Sequence, residues 1–455
     1  MMVNKIDSSI NVLVRGLKDG GCSYVTNFPG FNSHHIFAKL GGKQISTNER
    51  IAFELAYGAS MSGKRSVISF KGVGLNVAAD NFLHSIINGV NAGMVVVLTD
   101  DIEAESSPES QDSRPYRDIF GGLWLEPATI QQAYEFGYQA FDWSEKLDVP
   151  IVIRLTNKFF HLTGKYETKS KKNTLIPLEK RRDKYISYWK NRDDHLRVKL
   201  TEIDLFVEKL NPCTVEFTKN KGVIAIGCCD YELNKFSKNT HDVLHLFTYP
   251  IPQKIIKKFA QGKSEITVLE QGSNYVFRQI TPLVDFSCKL ISIINDRPDR
   301  SKDWIIWNNL EKFFKTLKEI KPSFVVGDEG SFTDESTKGI QVCLAMGSSI
   351  GIAAGLAENG CVYPFCIVGD TSFTFSGQQT LIEARERGLN FGIVVIDNNS
   401  AKSTGGQKKI GNIYNVGDIP NITIDYEKVS KNQLFNILLK MKTKGRLSIL
   451  YLKTK

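Results

Sequence analysis

Residues 366–406, CIVGDTSFTFSGQQTLIEARERGLNFGIVVIDNNSAKSTGG, constrain this chain more than any other stretch. CIV and FGIVVI are short apolar runs that suit strands buried on both faces, and the spacing of Leu381, Ile382 and Ala384 between them suits a crossover helix that Gly388 can end. Each strand runs into a polar turn, Gly369-Asp370-Thr371-Ser372 after the first and Asp397-Asn398-Asn399-Ser400 after the second. In a parallel βαβ unit both turns lie at the carboxyl edge of the sheet, where α/β folds bind their ligands. Asp370 and Asn398 then face one crevice, each offering a hard oxygen. A hard cation such as Mg2+ takes about six oxygen ligands, one or two from carboxylates and the rest from phosphates and water. A metal-bridged diphosphate suits this crevice; two ordinary ends of a parallel sheet suit the segment equally well.

The rest of the chain repeats that rhythm. Residues 1–163 alternate strands and helices: CSYVTNF ending at Pro29-Gly30, a helix over HHIFAKL, a helix over RIAFELAYGASMSG, then SVISF, MVVVLTDD, a helix around IQQAYEFGYQAFDWSEKL, and VPIVIRLT. This pattern predicts a parallel α/β sheet. Residues 164–215 read as a basic connector, helical around 183–209. Residues 216–300 form a smaller α/β unit with strands near GVIAIGC, VLHLFTYP, EITVLEQG and KLISII, with no motif that carries chemistry. Residues 301–455 form a third unit built around the opening stretch and closed by LSILYLK.

Composition sets the class. At 455 residues the chain is long enough for two to four domains, and with 42% hydrophobic and 24% charged residues it reads as an ordinary globular protein. No apolar run reaches the ~18 residues of a membrane span, and the charged, amphipathic first residues do not resemble a signal peptide, so the expected compartment is the cytoplasm. The net charge of +9 is local, because 164–200 carries twelve Lys or Arg against five Asp or Glu; a solvated connector, not a nucleic-acid arm, is the expectation. The eight cysteines are scattered without a C-x-x-C pair, which argues against a zinc ribbon, an iron–sulfur module or a disulfide framework.

Four further features bear on function. SVISFKGVGLNVAAD places G-x-G between a strand and a helix, as in a dinucleotide fingerprint, but Val77 stands where a third small residue belongs. Glu49 sits at a strand-to-helix turn, either a carboxylate favoured by the helix macrodipole or a working group. Arg114, in the polar loop SSPESQDSRPYRD, is either a solvated arginine or a bidentate clamp for a substrate carboxylate. His34 and His35 follow Pro29-Gly30, as acid/base groups or as a plain helix start.

Taken together these segments resemble thiamine diphosphate enzymes, most closely the alpha subunit of indolepyruvate ferredoxin oxidoreductase. NERIAFELAYGAS, FKGVGLNVAAD, SSPESQDSR, FTYPIPQKII, VGDEGSF, CLAMGSSIGIAAGL, VGDTSF and IDNNSAKSTGGQ follow one another in the family's order. The resemblance implies three α/β domains: a pyrimidine-binding domain, a transketolase-C-like middle domain and a diphosphate-binding domain. It implies that Asp370 and Asn398 hold Mg2+ by side-chain oxygens with the Ser400 carbonyl as a third ligand. Gly369, Thr371, Ser372, Gly330 and Ser331 line the diphosphate, Glu49 hydrogen-bonds the aminopyrimidine ring, Arg114 contacts the substrate carboxylate, and Ile350 or Met346 props the cofactor into its bent shape.

The departures from that pattern shape the functional expectation. WIIWNNLEKFF stands where the family has C-P-G-C-P, and the family's cysteine-rich cluster domain has no counterpart in these residues. Phe31 stands in the turn where relatives place a small hydroxyl residue, so the indolepyruvate specificity is not carried over. The expectation is a cytoplasmic, homodimeric, thiamine-diphosphate- and Mg2+-dependent lyase or carboligase that decarboxylates a 2-oxo acid. The alternatives are an oxidoreductase subunit using clusters on a second subunit, and a degenerate cofactor-fold binding protein.

Overall fold

The computed structural model describes residues 2–3, 6–102, 110–172, 192–211, 217–285, 287–294, 310–328, 339–342, 346–401, 406–408 and 416–454. It divides into two compact units, Met1–Asp299 and Arg300–Lys455.

The first unit is built on two main sheets, beside two short antiparallel pairs, Met2–Val3 with Glu167–Thr168 and Asp7–Ser8 with Thr163–Gly164. In the larger, the strands Leu123–Leu125, Ile151–Thr156, Met94–Asp100, Ser66–Lys71 and Tyr24–Asn27 lie side by side and run parallel. Three of them, Ser66–Lys71, Met94–Asp100 and Ile151–Thr156, are buried along their whole length, as expected of a parallel sheet covered on both faces. The smaller sheet is also parallel, in the order His241–Leu246, Lys221–Ile226, Glu265–Glu270, Lys289–Ile294.

The expected strand VLHLFTYP divides between the two sheets. Its first part ends His241–Leu246 in the smaller sheet, while Thr248–Tyr249 crosses over and pairs antiparallel with Leu123–Leu125 at the edge of the larger one. One hydrophobic core runs from Val12 through Trp124 to Ile256 and Val276, spanning both sheets. Strand exchange and a shared core explain why two sheets make one compact unit. Within the expected connector, Arg192–Leu210 is helical, and 173–191 lie outside the described residues.

The second unit is a five-stranded parallel sheet, Val325–Val326, Phe365–Gly369, Gly392–Asp397, Ser448–Lys453 and Asn421–Asp425. Its strands alternate between two cores. Phe365, Ile367, Val394, Ile396, Leu450 and Leu452 point to one face, and Cys366, Val368, Ile393, Val395, Ile449 and Tyr451 to the other. The βαβ unit expected from 366–406 is present. Phe365–Gly369 and Gly392–Asp397 pair in parallel with Gly369 opposite Ile396, so Asp370 and Asp397-Asn398 emerge side by side at the carboxyl edge.

Candidate active site

Glu49 owes its position to its neighbour. Asn48 is extended (φ −156°), and its side-chain oxygen accepts the Ile51 N–H at 2.8 Å, capping the helix Glu49–Met61. That makes Glu49 the first helical residue, where the macrodipole favours a carboxylate. A purely electrostatic carboxylate would sit in solvent, yet Glu49 is only 6% exposed. Its side chain lies on Gly74, the first residue of the helix Gly74–Asn88: a Cβ there would stand 2.6 Å from both Glu49 Cγ and Oε1. Gly72 is likewise pressed upon, since its Cβ would meet Asp100 Oδ1 at 2.0 Å. The two glycines that imitate a dinucleotide fingerprint are thus accounted for by two carboxylates that need the space.

Arg114 is not the expected substrate clamp. It is fully buried, and its guanidinium donates to Asp112 (2.8 Å from Nε and 2.7 Å from Nη2), Glu270 Oε2 (2.7 Å), the Gln271 carbonyl (2.6 Å), the Ser273 carbonyl (3.0 Å) and Tyr249 Oη (3.4 Å). A guanidinium has five N–H donors, and all of them are engaged within the unit. The neighbouring Arg154, also fully buried, donates to Asp100 (2.7 Å), Glu126 (2.6 Å) and Asp112 (3.3 Å). Tyr249 Oη donates to Glu126 at 2.8 Å.

The network divides its carboxylates by environment. Burial raises Asp100 and Glu270 against their arginines. Burial also penalises the Asp112 carboxylate, but Arg114 and Arg154 outweigh it and hold Asp112 well below the usual range. The arginines lock Thr248–Tyr249 and the segment after Glu265–Glu270 to the larger sheet. Arg114 reaches the smaller sheet at Glu270, Gln271 and Ser273, beside its topological switch point between Lys221–Ile226 and Glu265–Glu270.

His34 and His35 begin the short helix Ser33–Lys39, their rings 4.0 Å apart. Burial, helped by His35, pushes His34 down to about 4, so at neutral pH it is an uncharged imidazole with no acid proton of an imidazolium to give. Phe31 is buried and meets Phe160 edge-to-face at 5.3 Å, forming an aromatic wall at the same edge of the sheet.

In the second unit the expected polar turn after Phe365–Gly369 is a helix start. Asp370–Ser372 is already helical, Phe373–Gly377 is a π-helical turn, and Gln378–Glu386 continues as α-helix. π-turns inside helices often mark functional sites, and nothing in the sequence announced this one. Asp370 is buried, and its Oδ1 accepts the Thr371 N–H at 2.7 Å. Asn398 Oδ1 accepts the Ser400 N–H (3.0 Å) and hydroxyl (3.2 Å), folding Asn398–Ser400 into a tight turn with Asn399 at φ +56°.

Behind them Asp328, fully buried, accepts the N–H groups of Gly347 (2.8 Å) and Ser349 (3.2 Å) and caps the helix Ser349–Glu358. Ile350 is fully buried in the sheet's core, with its Cδ1 against Gly377; it has no surface to offer a cofactor, which removes it as a prop. Met346 is partly exposed. Gly330 and Ser331 lie outside the described residues. Among the described residues no group of three or more His, Cys, Asp or Glu is placed to hold a metal by itself, so a cation at Asp370 and Asn398 needs oxygens from a ligand and water.

Residues 329–432, which include both turns, match the family described as thiamine pyrophosphate enzyme, C-terminal TPP binding domain. The chain resembles the thiamine-diphosphate-dependent enzymes. Its likeness to curated relatives runs nearly end to end. It is 26% identical to the indolepyruvate oxidoreductase subunit IorA of Methanothermobacter thermautotrophicus, over 90% of this chain and 78% of that one. It is 24% identical to the protein of the same name from Archaeoglobus fulgidus, over 88% and 75%, and 25% identical to that of Pyrococcus abyssi, over the same shares.

The first unit holds one further charged residue at the carboxyl edge of its larger sheet. Lys71, the last residue of Ser66–Lys71, is buried and pairs with the fully buried Asp101 at 3.5 Å. Asp101 in turn accepts from Asn157 Nδ2 at 3.1 Å. The signal of Lys71 in the sequence is FKGVG, where a lysine ends a strand of buried residues.

The remaining expectations divide simply. Cys228, Cys229, Cys288 and Cys366 are buried free thiols, with burial pushing Cys229 up to about 12. No described helix is long and apolar enough to cross a membrane.

Proposed function

We propose that this chain is a thiamine-diphosphate- and Mg2+-dependent enzyme that decarboxylates a 2-oxo acid and passes the electrons to a partner subunit. When bound, thiamine diphosphate supplies the carbon nucleophile and electron sink on which a 2-oxo acid loses CO2. Asp370 and Asn398 offer Mg2+ a carboxylate and an amide oxygen, with the Ser400 carbonyl as a third ligand; a cation there replaces the Ser400 hydroxyl on Asn398. Gly369, Thr371 and Ser372 would line the diphosphate at the start of a helix that favours anions, although the Thr371 N–H is held by Asp370 Oδ1. Met346 is the remaining candidate prop. Glu49 holds a hydrogen bond and a proton at a ring nitrogen of the aminopyrimidine.

The observation that carries this reading is the buried Glu49 carboxylate seated on Gly74: a fold that only needed a helix-start charge would leave it in water. The relatives named as oxidoreductase subunits support the oxidative outcome. With no C-x-x-C pair in these 455 residues, the oxidant is a cluster carried elsewhere. The same scattered cysteines favour a second reading, in which the electron pair is quenched by a proton or an acceptor carbonyl and the chain is a lyase or carboligase. A homodimer belongs to both readings and is checked by light scattering.

The test is a panel of 2-oxo acids given with thiamine diphosphate and Mg2+, with and without methyl viologen. CO2 released only with the dye supports the oxidoreductase. CO2 with free aldehyde or acyloin and no dye supports the lyase. No CO2 under either condition overturns both.

A further inference from the structure

We propose that Lys71 anchors the substrate carboxylate, an assignment that rests on the 2-oxo acid reading above. A 2-oxo acid enters as an anion, and the cation expected to meet it, Arg114, is committed to the interior. Among the described residues, three other cations lie on the strands of the larger sheet or within two residues of their carboxyl ends. Arg154 is bound to Asp100, Glu126 and Asp112, and Lys158 reaches away to Glu232 at 2.6 Å. The third is Lys71.

Its place in the fold fits the task. Lys71 ends its strand at the ligand-binding edge of a parallel sheet. It lies three residues before Gly74, on which the Glu49 carboxylate rests. The turn at Gly30 covers its stem so closely that a Cβ at 30 would stand 2.8 Å from Lys71 Cβ, and the next residue, Phe31, forms the aromatic wall with Phe160. Cation, carboxylate and aromatic wall therefore border one another along a single edge.

The ion pair with Asp101 is a positioning device. Taking a lysine and an aspartate out of water costs free energy that their attraction barely returns, and an apolar pair of the same volume is commonly as stable. Stability alone therefore does not call for a charge at 71. Asp101, held by Asn157, fixes the ammonium at the edge. Lysine is a compact charge with three donors, able to hold Asp101 and a second carboxylate together.

The test uses the full chain loaded with Mg2+ and 3-deazathiamine diphosphate, which fills a thiamine diphosphate site but cannot attack a carbonyl. Calorimetry then reads binding of pyruvate, 2-oxoglutarate and phenylpyruvate without turnover. Removing Lys71 alone strands Asp101, so the informative variant is Lys71→Met with Asp101→Asn, and Lys71→Arg serves as the conservative rescue. For the 2-oxo acid the wild type binds best, the double variant is expected to bind at least about tenfold more weakly, a loss of about 1.4 kcal/mol. It keeps cofactor-analogue affinity within about threefold and a cooperative melt, and Lys71→Arg restores most of the binding. Unchanged 2-oxo acid binding in the double variant overturns the role of Lys71 and leaves the proposed function standing. Failure of the wild type to take up the cofactor analogue overturns both.

Discussion

At the scale of single residues, the first unit turns on what each buried carboxylate faces. Glu49 faces Gly74, and the account makes it the proton-handling group of the first unit. Glu49→Gln keeps the shape and a hydrogen bond but removes the exchangeable acid. Turnover is expected to fall by at least about 100-fold, roughly 2.7 kcal/mol of barrier, while thiamine diphosphate affinity measured by calorimetry stays within about threefold. Activity within tenfold of wild type removes Glu49 from that role. Gly74→Ala is the steric counterpart, because the added methyl occupies the position 2.6 Å from the carboxylate. Overpacking of this kind costs about 1–3 kcal/mol, and the account expects kcat to fall with it although position 74 carries no reactive group. Arg114→Met separates strut from clamp. It leaves Asp112 and Glu270 buried without their guanidinium, so a loss of about 3–5 kcal/mol in urea unfolding is expected, with the KM for the 2-oxo acid unchanged within about threefold. A stable protein with a much raised KM would restore Arg114 to the substrate.

At the scale of elements, the joint between the two sheets of the first unit is electrostatic as well as hydrophobic, and that gives it a pH signature. Asp112 titrates below its ordinary value of 3.8 because the attraction of Arg114 and Arg154 exceeds the penalty of burial. A depressed folded-state pKa means that the unfolded chain binds the proton first. The stabilisation from ionised Asp112 is therefore complete above the unfolded value and is lost as pH falls below about 4. Urea midpoints of wild type and Asp112→Asn should differ most near neutral pH, and the difference should begin to shrink below about pH 4 and keep shrinking through pH 3. A difference that does not change with pH would show that the ionised form of Asp112 carries no part of the joint.

These elements also show what was legible beforehand. The βαβ unit at 366–406 was readable because β-branched runs buried on both faces have few other destinations, and with it the adjacency of Asp370 and Asn398. Glu49 was readable because a polar turn before an apolar helix fixes its register. Arg114 was misread because its acceptors, Glu270 and the Gln271 and Ser273 carbonyls, come from a segment more than 150 residues away, and no local pattern records such a partner. The division of VLHLFTYP between two sheets failed for the same reason, since edge pairing of Thr248–Tyr249 with Leu123–Leu125 is decided by tertiary packing and not by strand propensity. Ile350 looked like a free apolar residue in a glycine-rich helix, and only the packing of Gly377 against it reveals a core position.

At the scale of the whole molecule, the residues proposed for the cofactor belong to both compact units, 1–299 and 300–455. Glu49 in the first is assigned to the pyrimidine end, and Asp370 and Asn398 in the second to the metal and diphosphate. Binding should therefore depend on the cation and on the second unit's carboxylate, while turnover depends on Glu49. The most direct test is calorimetric titration of thiamine diphosphate into the full chain, with Mg2+ and then with excess EDTA, for wild type and Asp370→Ala. The account predicts saturable binding to wild type with Mg2+ that is lost, by at least about 30-fold, on chelation and in Asp370→Ala. Absence of binding to wild type, or binding indifferent to both the metal and Asp370, would contradict it.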